Sequence, residues 1–376
     1  MTWKIPLFKI LWDNNDIESV NNVISSGMSW AEGADIKEFE IRLSEYIGTK
    51  YCLVFNNGTS ALHAALLAHD ISKGDEVIVP SFTFISTANA SVFVGARPVF
   101  ADIEEKTLGL DPQDVANKIT PKTKAIIPVH YGGCPCNVKE LRKIADENGL
   151  LLIEDAAEAF GAEVRGQKVG TIGDSAMFSF CQNKIITTGE GGAIVTDSKE
   201  LFEKMKLIRS HGRNDNSAYF NSTKNPDYVS LGYNYRMSTI LAALGISQMR
   251  KIEQILQKRI ACADYYSKKL KNENLNLVTP SIPHGYAHVY QLYSIRVQKR
   301  DELMRYLAEK GIMSKVYFNP VHFTHFYRNV LHYNDYLPVT ERMAKEILSL
   351  PIYPGLTENE LDYVIEQINN FDGEPT

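Results

Sequence analysis

From Tyr51 to Val195 the chain alternates short apolar runs with longer segments of helical period, a feature that restricts the possible fold more than any other. The runs are residues 51–55, 76–79, 98–101, 125–129, 150–153, 176–180 and 193–195. Runs this short are strand-length, and the spacers are long enough to be crossover helices. The pattern predicts an α/β fold in which a mostly parallel, seven-stranded sheet is covered by helices on both faces.

The flanks read differently. Residues 36–46 place Phe39, Leu43 and Tyr46 at helical spacing, after a loop bracketed by Ser26-Gly27 and Glu32-Gly33 that contains Met28 and Trp30. Ser238 is a fitting N-cap for a long helix through Ile240, Leu244, Met249, Ile252 and Ile255 towards Tyr265. An alternating strand at 289–297, a helix at 301–310 stopped by Gly311 and a strand at 313–318 follow. A last helix opens with a capping box at Thr357 and Glu360. A chain of 376 residues exceeds the size at which single cores stop growing. Two domains are expected: a large one over 1–250 with the N-terminal segment packed on it, and a smaller α+β one over 251–376.

Composition removes several functions. Hydrophobic residues make up 44% of the chain and charged residues 23%, as in ordinary globular proteins. A formal charge of −5 with scattered basic residues gives no electrostatic case for nucleic acid. No apolar run approaches the roughly 18–20 residues of a membrane span, and the N-terminus carries no secretory pattern. Five unpatterned cysteines suit a reducing, cytoplasmic setting. Cys134 and Cys136 lie near His130, but Pro135 marks a turn and no further ligands cluster there, so no metal is expected.

Candidate chemistry gathers at the ends of the apolar runs. The stretch MFSFCQNKIITTGEGG delivers Lys184 just past a buried strand, beside glycines that let backbone approach a ligand. Desolvation there favours the neutral amine that attacks a carbonyl. Asp155 ends another apolar run and points into the crevice where α/β sheets bind ligands. A cofactor with a pyridinium nitrogen needs such a carboxylate, and one with an aldehyde needs such an amine. After the first run, Asn56-Asn57-Gly58-Thr59-Ser60 opens a helix, whose free amides and dipole form an anion site. Phe82 and Phe84 follow the second run, where one aromatic ring could stack on a planar ligand; either could equally be core, which composition alone favours.

With Gly58-Thr59, Asp155, Ser179 and Lys184 in this order, the chain resembles the fold-type I pyridoxal-phosphate enzymes, and most closely the DegT-type sugar aminotransferases. The shared motifs are NNGTSALHAAL, GDEVIVPSFTF, RPVFADI, TKAIIPVHYGG, IEDAAEAFGA, GDSAMFSFCQNKIITTGEGG and LGYNYRMS, spanning about residues 27–353. Within that branch NKIITTGEGG is most similar to the sugar 4-aminotransferases of the GDP-perosamine synthase kind.

The resemblance implies pyridoxal 5′-phosphate as cofactor, L-glutamate as amino donor and a nucleotide-linked 4-keto-6-deoxysugar as acceptor. It implies that Lys184 carries the cofactor and moves the proton, and that Asp155 pairs with the ring nitrogen. Glu158 would lie near the phenolic oxygen, where many relatives have glutamine. Gly58, Thr59 and Ser179 would hold the phosphate, and Phe84 would stack on the ring. Asn234 would reach the phosphate of the neighbouring subunit in a homodimer with shared sites. Asn183, Tyr317 and His322 stand where relatives handle the sugar nucleotide. A dehydratase subgroup carries histidine in place of the lysine, so Lys184 favours transamination. Cys134-Pro135-Cys136 and Cys181 depart from commoner relatives without a functional account. The rival readings are an aminotransferase acting on a ketocyclitol or another acceptor of the same branch, and a regulatory or binding protein that keeps the fold without turnover.

Overall fold

The structure, a computed structural model, describes residues 3–214, 223, 225–271 and 275–372. Strands β1 (Tyr51–Phe55), β2 (Glu76–Pro80), β3 (Arg97–Ala101), β4 (Thr123–Ile126), β5 (Leu151–Asp155), β6 (Ser175–Ser179) and β7 (Gly192–Thr196) form one sheet. Their spatial order is β1-β7-β6-β5-β4-β2-β3. Strands β2 to β6 run parallel, while β7 is antiparallel to both β1 and β6. The seven expected strands are therefore present in the mostly parallel sheet that the alternation predicts.

Because successive strand residues point to opposite faces, an apolar run without alternation needs a core on each side. Leu53 and Met177 face one core and their neighbours Val54 and Phe178 the other. Helix α2 (Ala34–Ile47) and α8 (Thr239–Met249) cover the Val54 face through Phe39, Leu43 and Ile246. Helices α3 (Gly58–Ala68), α4 (Ser86–Phe93) and α7 (Lys199–Arg209) cover the Leu53 face. The edge is completed by α5 (Pro112–Lys118) and α6 (Val138–Asn148), whose Val115, Leu141 and Ala145 pack against Ile126 and Leu152. Helix α1 (Asn14–Ser25) opens with a capping box between Asp13 and Asp16.

A second core lies around the two-stranded sheet of β8 (Tyr293–Arg296) and β9 (Ile347–Leu350). It is closed by α9 (Ile252–Lys269), α10 (Arg300–Glu309) and α12 (Glu358–Asn369). The capping box at Thr357 and Glu360 and the stop at Gly311, with φ +75°, are both present. The sheet edge holds this body in place: the Asp102 carboxylate accepts from Val339 N, Thr340 N and Thr340 Oγ1 at 2.7–2.9 Å, capping the start of α11 (Pro338–Glu346).

Four expectations need correction. The helix begun at Ser238 breaks after Met249, where the Lys251 backbone leaves helical geometry at φ −115° and ψ 13° and its ammonium reaches Asp13 and Asp16 of the α1 cap at 2.9 and 2.5 Å. The strand expected at 289–297 is confined to Tyr293–Arg296, since Val289 N and Leu292 N bond instead to Gly133 and Gly132 carbonyls. Residues 313–318 are not a strand: Lys315 makes a single bridge to Ser349 and the chain then leaves the sheet. The first described residues pack on the second core and not on the large sheet, with Ile5 bridged to Ile312. Among the described residues no helix is long and apolar enough to cross a membrane.

Candidate active site

The chain leaves β1 through Asn56 and Asn57 and enters α3 at Gly58. Asn57 Oδ1 accepts from Ser60 N at 2.8 Å and from Ser60 Oγ at 2.9 Å, fixing the helix entry. A Cβ on Gly58 would stand 3.0 Å from Met177 Sδ, so the helix start lies directly on the end of β6, beside Ser179. Gly192 is required from the other side, because a Cβ there would fall 2.6 Å from Gly58 N. Thr59 Oγ1 lies 2.7 Å from Ser86 Oγ. Gly58, Thr59 and Ser179 thus border one hollow that receives the positive end of α3.

Asp155, the last residue of β5, is buried at the floor of this hollow. Its Oδ2 accepts from Thr87 Oγ1 at 2.7 Å and its Oδ1 from Ala157 N at 3.2 Å. Thr87 is itself held by Thr83 at 2.9 Å. Burial pushes the Asp155 carboxyl up, against the opposing pull of Thr87, Ala157 and the Lys184 ammonium. Lys184 sits in a tight turn, its N–H donating to Cys181 O at 2.9 Å. Its Nζ lies 3.4 Å from Glu158 Oε1, and the side chains are only 14% and 6% exposed. The other Glu158 oxygen accepts from Gly132 N at 2.8 Å, so the carboxylate is aimed by backbone. Gln291 Nε2 donates to Asn183 O at 2.7 Å, pinning the lysine turn to the segment that enters β8.

These groups open onto a cleft of about 1180 Å³ between the carboxyl ends of the sheet and residues 315–319. Gly58, Thr59, Phe84, Asp155, Glu158 and Ser179 all line it, as do Asn183, Lys184 and Tyr317. Phe82 and Phe84 separate cleanly. Phe82 is fully buried against Tyr131, whereas Phe84 is 57% exposed in the cleft, its ring 6.0 Å from Phe318. The Tyr317 phenol is pushed up by burial and by Glu158.

Two expected residues lie elsewhere. His322 is buried outside the cleft, its Nδ1 2.6 Å from Ser81 Oγ and its Nε2 3.7 Å from Glu341. Pro320 ends the cleft wall and the short helical turn after it faces inward, which takes His322 behind β2. Asn234 bridges Ser210 through its backbone and does not line the cleft of its own chain. Conversely, Thr87, Phe8, Lys315 and Phe318 line the cleft without having been singled out in the sequence. Thr87 had a signal, one helical turn past Thr83; Phe8 had none. His130 donates its Nε2–H to Glu154 at 3.0 Å and accepts from Cys136 N, and no metal-ligand cluster exists among the described residues.

The residues fit pyridoxal phosphate. An anion cradle with no room for a Cβ stands beside a buried carboxylate whose ionised form gains from a cation, and a shielded lysine lies in reach of the same cleft. With this strand order, the arrangement is that of a fold-type I pyridoxal-phosphate enzyme. Comparison with known proteins agrees. GDP-perosamine synthase of Caulobacter vibrioides is 38% identical over 362 residues, covering 95% of each chain. The structure of S. venezuelae DesV in complex with ketimine intermediate superposes with a TM-score of 0.89 at 31% identity, covering 99% of this chain and 100% of that one. The PLP form of the putative sugar aminotransferase Spr1654 from Streptococcus pneumoniae gives 0.90 at 27% identity, covering 98% and 97%. The model of the DegT/DnrJ/EryC1/StrS aminotransferase family matches residues 11–369, and the chain belongs to that family. It is a pyridoxal-phosphate-dependent sugar aminotransferase.

Proposed function

We propose that this enzyme transfers the amine of L-glutamate to a nucleotide-linked 4-keto-6-deoxysugar, giving the 4-amino sugar. The observation that carries the reading is the placement of Asp155 and Lys184 on one hollow, closed by the α3 N-terminus and open to a cleft large enough for a sugar nucleotide. The likeness to the Caulobacter GDP-perosamine synthase supports the acceptor class.

The cofactor phosphate would be held by the Gly58 and Thr59 amides with the Thr59 and Ser179 hydroxyls. Asp155 would pair with the ring nitrogen, Glu158 would stand near the phenolic oxygen, and Phe84 would cover the ring. Bound there, the cofactor supplies an electron sink for the carbon that gives up or receives the amine. Thr87 and the Ala157 amide keep the Asp155 carboxylate aimed and favour its ionised form against the larger cost of burial. Lys184 Nζ takes the Cα proton of glutamate and returns a proton to the sugar carbon, the two half-reactions alternating on one site. Burial of the Lys184 and Glu158 side chains holds the amine beside a carboxylate that the Gly132 amide aims.

A homodimer with shared sites completes the reading. Asn234 lies off its own cleft, and Met28, Trp30, Tyr228 and Leu231 are large apolar residues left exposed. The division into a large domain over 1–250 and a small one over 251–376 is drawn on the two cores, with Ile5 crossing to the small one and Ile252, Ile255 and Leu256 to the large one, and five free cysteines support a cytoplasmic setting.

An absorbance spectrum before and after L-glutamate tests the first half-reaction: a visible band should give way to a near-ultraviolet one. Keto sugar nucleotides should restore the first band and ketocyclitols should not. Absence of any chromophore after incubation with pyridoxal phosphate would put the non-catalytic reading first.

A further inference from the structure

The cleft has a charge arrangement that the cofactor does not use up. The acidic and basic side chains that line it on the sheet side, beside the neutral-leaning His63, Cys181 and Tyr235, are Asp155, Glu158, Lys184 and Glu190, three carboxylates and one ammonium. Lys184 faces Glu158 and is committed to chemistry. Among the described lining residues the one other lysine or arginine is Lys315, on the opposite wall. Its backbone is anchored by a reciprocal pair of hydrogen bonds, Lys315 N to Ser349 O at 3.1 Å and Ser349 N to Lys315 O at 2.8 Å. The side chain is exposed, and its Nζ stands over the Tyr317 ring, 4.9 Å from the centroid. Among the described residues no carboxylate forms an ion pair with it.

A fixed backbone beneath an unpaired ammonium is suited to an anionic ligand, since nothing must be displaced to bind one. The neighbours define the rest of that ligand. Tyr317, Phe318 and, across the cleft, Phe84 offer ring faces and edges, with the Phe84 and Phe318 centroids 6.0 Å apart. A diphosphate held near Lys315 would leave its sugar directed to the Lys184 side, where the carboxylates repel phosphate. The α3 N-terminus, the cleft's other anion site, is taken by the cofactor.

We propose that Lys315 binds the diphosphate of the acceptor and is the residue by which the cleft selects nucleotide-linked sugars over free ones. This rests on the sugar-nucleotide reading above. The selection is electrostatic: a free keto sugar carries no charge for the ammonium to recognise.

The test is equilibrium binding of GDP, UDP and dTDP, and of the matching uncharged nucleosides, to the cofactor-loaded enzyme. Wild type is compared with Lys315→Gln and Lys315→Arg, all verified by circular dichroism and thermal unfolding. Wild type should bind one or more of the diphosphates. Lys315→Gln should weaken that binding by about tenfold or more, and the nucleoside by less than about twofold. Lys315→Arg should recover most of the difference. The KM for the keto sugar nucleotide should rise in parallel in Lys315→Gln. Diphosphate binding unchanged in Lys315→Gln would overturn this assignment while leaving the sugar-nucleotide reading intact. A wild-type enzyme that binds none of the three diphosphates would overturn both.

Discussion

Asp155, Glu158 and Lys184 reach the cleft from the sheet's carboxyl end, whereas Lys315, Tyr317 and Phe318 reach it from a connection held by isolated bridges, Ile312 to Ile5 and Lys315 to Ser349. On the first wall, Asp155 and Glu158 are buried and each accepts a backbone N–H. On the second, Lys315 and Asn319 are exposed. A side chain at the end of a buried strand takes its position from the ladder and from two packed cores. One on a connection takes its position from a few anchors. Chemistry needs the first kind of support, because small misplacements of reacting groups are costly. Recognition tolerates the second, and loops are where it usually resides.

The comparison breaks most directly at Lys184. Lys184→Ala should reduce amine transfer by more than about a thousandfold while changing the unfolding midpoint little. Single-turnover absorbance with L-glutamate measures this, and near-normal transfer would remove the sheet wall from the chemistry altogether.

Phe82 and Phe84 test the same division two residues apart. Phe82→Ala should cost about 3–5 kcal/mol in denaturant unfolding, because a fully buried ring leaves a cavity. Phe84→Ala should stay within about 1 kcal/mol and instead weaken cofactor retention, since its ring is mostly exposed in the cleft. Equal stability losses in the two variants would mean that Phe84 is core after all.

That pair also shows what could be read in advance. Asp155 is legible because it ends an apolar run and Lys184 because it lies in the turn just past one, and the end of a buried strand has one place to go in an α/β sheet. Glu154, beside Asp155, is not legible. It points to the opposite face and is saturated by His130 Nε2 and the amides of Gly170, Ile172 and Gly173 at 2.7–3.0 Å. The alternation at 313–318 imitates a strand, but the second sheet offers it only one bridge. Phe8 enters the cleft through contacts hundreds of residues distant, and no local pattern encodes those. His322 follows a motif shared with relatives, yet Pro320 and the inward turn carry it away from the ligand space.

Asp155→Asn should slow both half-reactions by about a hundredfold, through loss of the charge facing the ring nitrogen. Stopped-flow spectra with glutamate, and then with the keto sugar, separate the two. In the cofactor-free protein the raised carboxyl has the opposite sign to a salt-bridged one: its ionised form opposes folding once pH passes its ordinary range. Pyridoxal phosphate should therefore raise the unfolding temperature of wild type more than that of Asp155→Asn. An equal rise in both would show that Asp155 does not meet the ring.

The smallest effect concerns the junction of the two walls. His288 lies at the head of the segment that pins the lysine turn through Gln291. Its Nδ1 accepts from Tyr290 N at 2.9 Å and its ring stacks on Tyr290 at 4.0 Å. Burial lowers its pKa from 6.5 to about 3, against a small opposing effect of the Gly133 backbone. As pH falls below 6.5 the unfolded chain takes up a proton that the folded chain refuses, so stability present above 6.5 is lost progressively towards pH 3. By pH 5 the loss from this one residue should be about 2 kcal/mol. His288→Gln can still accept from Tyr290 N but does not titrate, so it should be less stable than wild type at pH 7 and recover about 2 kcal/mol of that gap at pH 5. Urea midpoints of the cofactor-free proteins at both pH values measure it. A gap that does not change with pH would place the acid sensitivity of the fold away from this junction.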